Sequence, residues 1–172
     1  MRFTPILLSA TILAVGACKD DAQEIGTFNV QLDGKDMEFV STLDAENDTS
    51  SIRVMTPSGI KLIMIDGSAG DTKTGIPIIS MTLQSGVTNS NLSLMFVQVF
   101  DKTFDTVLTS DGPNGNRQLK DMMLDDEGNI SFSFSADLVR VETQSEAPIA
   151  GADGAHIEGR FSGKIPASEM EE

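Results

Sequence analysis

Apolar and polar residues alternate one by one along much of the chain, the period of a strand with one face buried. Phe28, Val30 and Leu32 alternate with Thr27, Asn29 and Gln31. Asp33-Gly34 follows as a two-residue turn signal, because glycine accepts the positive φ such turns need. Met37 and Phe39 continue the alternation, so residues 25–43 predict a hairpin. Residues 51–66 predict a second, turning at Pro57-Ser58-Gly59. Residues 76–83 form a third apolar segment, with Pro77 at an edge or entry position. Residues 92–100 are apolar on both alternating faces, which predicts a central strand covered on both sides. Residues 104–108 allow a short strand.

Residues 117–124 fit two elements. Leu119, Met122 and Met123 lie at helical spacing on one face, and the same stretch also fits a strand. Residues 130–141 are the clearest strand, with Ile130, Phe132, Phe134, Ala136 and Leu138 inward and serines outward. Val139 and Val141 have the opposite parity, which predicts a bulge near Val139. Ile157, Gly159, Phe161, Gly163 and Ile165 make a last strand before an acidic tail. The fold expected is all-β: an antiparallel β-sandwich or partly closed barrel of about eight to ten strands, with at most one short helix.

The start of the chain has another character. A basic Met1-Arg2 precedes an apolar run to Val15, the layout of an export signal. That run is too short to cross a bilayer core, which takes about 20 residues. Val15, Gly16, Ala17 and Cys18 then match, place for place, the lipobox of bacterial lipoproteins, which this segment resembles. The resemblance implies that peptidase recognition falls on Val15, Gly16 and Ala17. It further implies that Cys18 becomes an N-terminus carrying acyl chains of the palmitate kind. Several acyl chains exceed the two signals that stable anchoring requires. The organisation expected is a cleaved signal peptide at 1–17, the lipidated Cys18 with a short tether at 18–24, and one β domain at 25–172. Lys19 replaces the aspartate that retains enteric lipoproteins in the inner membrane, and Lys19-Asp20-Asp21 resembles a surface-export tag of another bacterial lineage. Both point to the outer membrane. Phe28, Asp33, Gly34 and Lys35, with Gly159, Phe161 and Ser162, also resemble the opening and closing strands of small β-rich lipoproteins of unknown function.

Charge narrows the partners. The net charge is −14 over 172 residues; losing the first 17, with Arg2, leaves 155 residues at −15. Such a surface argues against nucleic acid and against lying flat on an anionic membrane. The membrane partner is expected through the acyl chains on Cys18 alone. Tyr and Trp are absent, which disfavours a carbohydrate module built on aromatic platforms. Cys18 is the one cysteine, so no disulfide framework exists.

Each candidate for chemistry meets a plainer reading. Ser58 and Lys61 fit S-x-x-K, and Lys73-Thr74-Gly75 fits K-T-G, but Ser58 falls in a turn and no S-D-N is present. His156 is the lone histidine, expected at a strand rim, and cannot build a His/Cys zinc site. Asp44/Glu46/Asp48, Asp101/Asp105 and Asp125/Asp126/Glu127 offer oxygen ligands without the EF-hand spacing, and read as turns. Met55, Met64, Met81 and Met95 read as core rather than as a copper site. No catalytic, cofactor or metal residue is therefore assigned. The chain reads as a lipid-anchored envelope protein with a non-catalytic binding, interaction or structural domain. One alternative is a lipocalin-like carrier holding an apolar ligand among Phe96, Phe132, Phe134, Met81 and Met95. A second is a hydrolase whose site the sequence does not reveal.

Overall fold

A computed structural model describes residues 22–69, 77–85, 91–100, 104–111 and 116–170. Its strands are β1 (Gln23–Leu32), β2 (Lys35–Asp44), β3 (Thr49–Ser50), β4 (Ile52–Met55), β5 (Leu62–Ser68) and β6 (Ile78–Ser85). They continue as β7 (Leu92–Phe100), β8 (Thr106–Thr109), β9 (Arg117–Leu124), β10 (Asn129–Glu142) and β11 (Ala155–Lys164), and α1 (Ala167–Met170) follows. All pair antiparallel in the order β2-β1-β11-β10-β8-β7-β6-β5, and β5 returns to β2 to close a barrel of eight strand positions. Of the two architectures expected, the barrel is the one formed.

Five of the eight neighbouring pairs in the ring are consecutive in sequence, and the first of them, β1–β2, is joined by a tight turn. Asp33 (φ 48) and Gly34 (φ 77) both occupy the left-handed region, the geometry whose twist matches two antiparallel strands. Asp33 also accepts the amide of His156 at 2.8 Å, which ties this turn to the start of β11.

Alternation fills the barrel. Phe28, Phe39, Ile63, Ile65, Ile79, Met81, Leu83, Ile157 and Phe161 are fully buried. The Phe161 ring lies 4.5 Å from that of Phe28 and 5.4 Å from that of Phe132. Gly163 makes room for it: a Cβ there would come within 2.7 Å of both Phe161 and the Ile25 carbonyl.

The ring is irregular at two places. At β2/β5, direct pairing is limited to Val40 with Ser68. Below it the strands diverge around Ser51, which donates its amide to Thr42 and accepts that of Asp66. Buried Ser41 seals the fork by donating to the Asp66 carbonyl at 2.6 Å. The second irregularity lies beside β10, whose one edge is shared: β9 takes Ile130 to Ala136 and β8 takes Val139 to Glu142. Ser110 ends the β7–β8 pairing by exchanging bonds with the backbone of Val97.

Three stretches depart from simple alternation. Residues 117–124 are a strand, with a bulge at Asp121 (φ 52) where three steps of β9 span two of β10. The bulge turns both Leu119 and Met122 toward the core, which reproduces helical spacing without a helix. Strand β10 pairs with β11 in unbroken register from Asn129 to Leu138 and with β8 from Val139 onward; its inward parity changes at that handover, with Leu138 and Val141 both buried and Val139 exposed. Strand β7 is not covered on both sides. Met95 is an extra residue opposite β6 and is exposed, while Phe96 and Phe100 are half-buried on the outer face.

Candidate functional site

Pairing register builds one surface from residues far apart in sequence. Outward positions of β2, β1, β11, β10 and β9 line up in transverse rows. The middle row reads Glu38, Asn29, Arg160, Ser133, Lys120. The row nearer the Asp33-Gly34 turn reads Asp36, Gln31, Glu158, Ser135, Gln118. On the other side stand Val40, Thr27, Ser162, Ser131 and Met123. Adjacent strands are about 4.8 Å apart, so Arg160 and Lys120 flank Ser133 with their Cα atoms roughly 10 Å apart.

This surface is a shallow groove of about 720 Å³, lined by Asn29, Gln31, Lys120, Ser133, Glu158 and Arg160 among others. A second groove of about 720 Å³ continues it along Ser131, Met123 and Ser162. Electrostatically the face is mixed. Among the described residues, Arg160 and Lys120 make no ion pair or hydrogen bond. Gln31 donates to Asp36 at 3.1 Å, and Ser133 donates to Asp121 at 3.3 Å. Two free cations beside a serine stand out in a chain of net charge −14.

The residues singled out from sequence fall elsewhere. Val15, Gly16, Ala17 and Cys18 lie outside the described residues, as do Asp101 and Lys73-Thr74-Gly75. Ser58 (φ 54) is exposed in the 3₁₀ turn at Pro57–Gly59, and no α-helix starts there. His156 sits at the rim as expected, its Nδ1 2.7 Å from Asp137 Oδ1 with both side chains about half exposed. No serine hydroxyl is bonded to it among the described residues.

The acidic loops act as turns. Asp44 accepts the amides of Glu46 and Asn47 and the Asn47 side chain. Asp125 does the same for Glu127 and Asn129. Bonds from the Asn47 side chain and backbone hold the Asp44 carboxyl below the usual aspartate range, and those from Asn129 do so for Asp125. Among the described residues, no three His, Cys, Asp or Glu side chains converge as a metal site would need.

The methionines divide. Met81 is in the core; Met55 and Met95 are exposed, and Met64 is half-buried on the strand face opposite to core residue Ile65. Core packing thus holds for Met81 alone. The five residues named for an apolar ligand divide as well: Phe132, Phe134 and Met81 point inside, Phe96 and Met95 outside.

No protein-family model matches the chain, and neither does any curated protein. The outer face has to be judged on its own chemistry. Sequence reading found one of its parts, the outward serines of β10. Cross-strand register, invisible in a single chain segment, joins them to Arg160 and Lys120.

Proposed function

We propose that this chain is a lipid-anchored protein of the bacterial outer membrane whose barrel is a non-catalytic binding module, with the β2-β1-β11-β10-β9 face as its contact surface. The lipobox residues Val15 to Cys18 support the anchor. The observation that carries the binding role is the middle row of that face, where Arg160 and Lys120, unpaired among the described residues, flank Ser133 in a groove. Leaving two cations uncommitted among hydroxyls and amides suits a surface that completes its bonds with a partner.

The test has two arms. Cys18→Ser should release the protein from membranes, and a variant still processed and membrane-bound would overturn the anchor. Affinity capture of the native lipoprotein, compared with Asn29→Ala/Ser133→Ala/Arg160→Ala, should lose its partner in the triple variant. Identical recovery from both would remove this face as the contact surface.

A second reading, a carrier of a small apolar ligand, draws on the closed antiparallel barrel. It requires Phe132, Phe134 and Met81, all buried in the core cluster, to yield space to the ligand. Extraction of the purified protein with organic solvent, followed by mass spectrometry, checks it: a stoichiometric lipid besides the anchor would favour the carrier.

A further inference from the structure

The geometry points to a carboxylate-binding subsite on this face, held by Arg160 and Lys120 over Ser133, whose ligand is a hydroxylated monocarboxylate of the sugar-acid class. The inference rests on the outer face being the contact surface and specifies its chemistry.

Three observations carry it. First, register fixes Arg160, Ser133 and Lys120 side by side on consecutive strands. A guanidinium and an ammonium on either side of one hydroxyl can offer charge-assisted bonds to an oxyanion, and such bonds are the strong ones. Second, both cations are unengaged among the described residues, although Glu158 lies two residues from Arg160 on the same strand face. For Ser133 to donate to an anion, only its 3.3 Å bond to Asp121 has to yield; no bond of Arg160 or Lys120 among the described residues does.

Third, the surrounding acids select among anions. Glu38 and Glu158 border the cations, and Asp121 touches Ser133 at 3.3 Å. A single negative charge can be shared between Arg160 and Lys120. Glu38, Glu158 and Asp121 outnumber the two cations, so repulsion grows with each negative charge on the ligand and favours a monoanion over a phosphate dianion. Beyond the cations the groove offers Asn29, Gln31 and Ser135, amides and a hydroxyl that match the hydroxyls of a sugar acid. Without Trp or Tyr in the chain, recognition here is polar and does not use ring stacking.

The test titrates the processed lipoprotein in detergent with sodium glucuronate, glucose and inorganic phosphate at constant ionic strength, followed by amide NMR shifts. Glucuronate should move the signals of Asn29, Ser133 and Arg160 saturably, and phosphate should bind more weakly. Arg160→Gln with Lys120→Gln should weaken glucuronate at least about tenfold, the scale of a lost charged hydrogen bond. Glu158→Gln should tighten glucuronate and raise phosphate binding relative to it.

Phosphate binding as tightly as glucuronate, or glucuronate shifts that survive the double variant, would overturn the carboxylate subsite. Glucose alone shifting these residues would do the same while leaving the face as a contact surface. The capture comparison with the triple variant tests that surface separately.

Discussion

Asp44 and Asp125 do the same work at two turns of the barrel. Each carboxylate gathers two backbone amides and one asparagine side chain. Bonding to the charged form lowers both carboxyls, which sets the sign of their pH effect. A group whose folded pKa is depressed contributes stability above its unfolded value and loses it as pH falls through the folded one. Denaturant midpoints should therefore fall as the pH drops below the ordinary aspartate value of about 3.8. In Asp44→Asn/Asp125→Asn this part of the acid slope should be missing, and an unchanged slope would refute the turn role. Phe161 is the opposite kind of residue, fully buried against two rings. Phe161→Ala should cost about 3–5 kcal/mol in equilibrium unfolding. Gly163→Ala, forced against the Ile25 carbonyl, should cost about 1–3 kcal/mol. A neutral Gly163→Ala would show that the close approach is relieved by a small shift.

Among the elements, α1 is too short to be stable alone, yet it has a definite task. Glu169 accepts the amide of Val54 at 3.1 Å, satisfying a donor on β4, the strand that ends the sheet path. Exposed strand edges invite pairing with other chains. Glu169→Ala should speed hydrogen exchange at the Val54 amide and leave Ile63 unchanged; equal protection in both proteins would show that α1 adds nothing to this edge. The same scale decides how much was legible in the sequence. Strands with strict alternation and a glycine turn, β1, β2, β10 and β11, were readable because periodicity and burial agree. β9 was ambiguous because the bulge at Asp121 sends Leu119 and Met122 the same way. β7 misled because Met95 shifts the parity of its two halves. The candidate site was legible only as outward serines, since Arg160 and Lys120 are brought together by their pairing with the one strand between them, β10, and not by the chain.

At the scale of the molecule, the alternating strand directions define two ends. β1 starts at one end, where β2, β6, β9 and β11 finish, and the Asp33-Gly34 turn lies at the other. β1 begins at Gln23, five residues beyond Cys18, and five residues reach at most about 18 Å, so a lipidated Cys18 would hold the first end close to the headgroups. Ten residues of β1 at about 3.3 Å each, shortened by barrel tilt, put the other end roughly 25–30 Å further out. The near end carries Glu24, Asp44, Glu46, Asp48, Asp125, Asp126, Glu127 and Glu169 against Lys61 and Lys164. An anionic leaflet repels such an end, and salt screens that repulsion over about 10 Å at 0.1 M. The barrel should therefore stand on its tether with the polar groove exposed along its side. This predicts that, in vesicles containing phosphatidylglycerol, a fluorophore at Asp126→Cys is quenched by a headgroup-bound quencher more than one at Asp153→Cys. Raising the salt from about 20 to 200 mM should strengthen quenching at position 126 more than at 153, because only the near end lies within reach of the leaflet field. Stronger quenching at position 153 would invert the barrel and put the Asp33-Gly34 turn against the membrane.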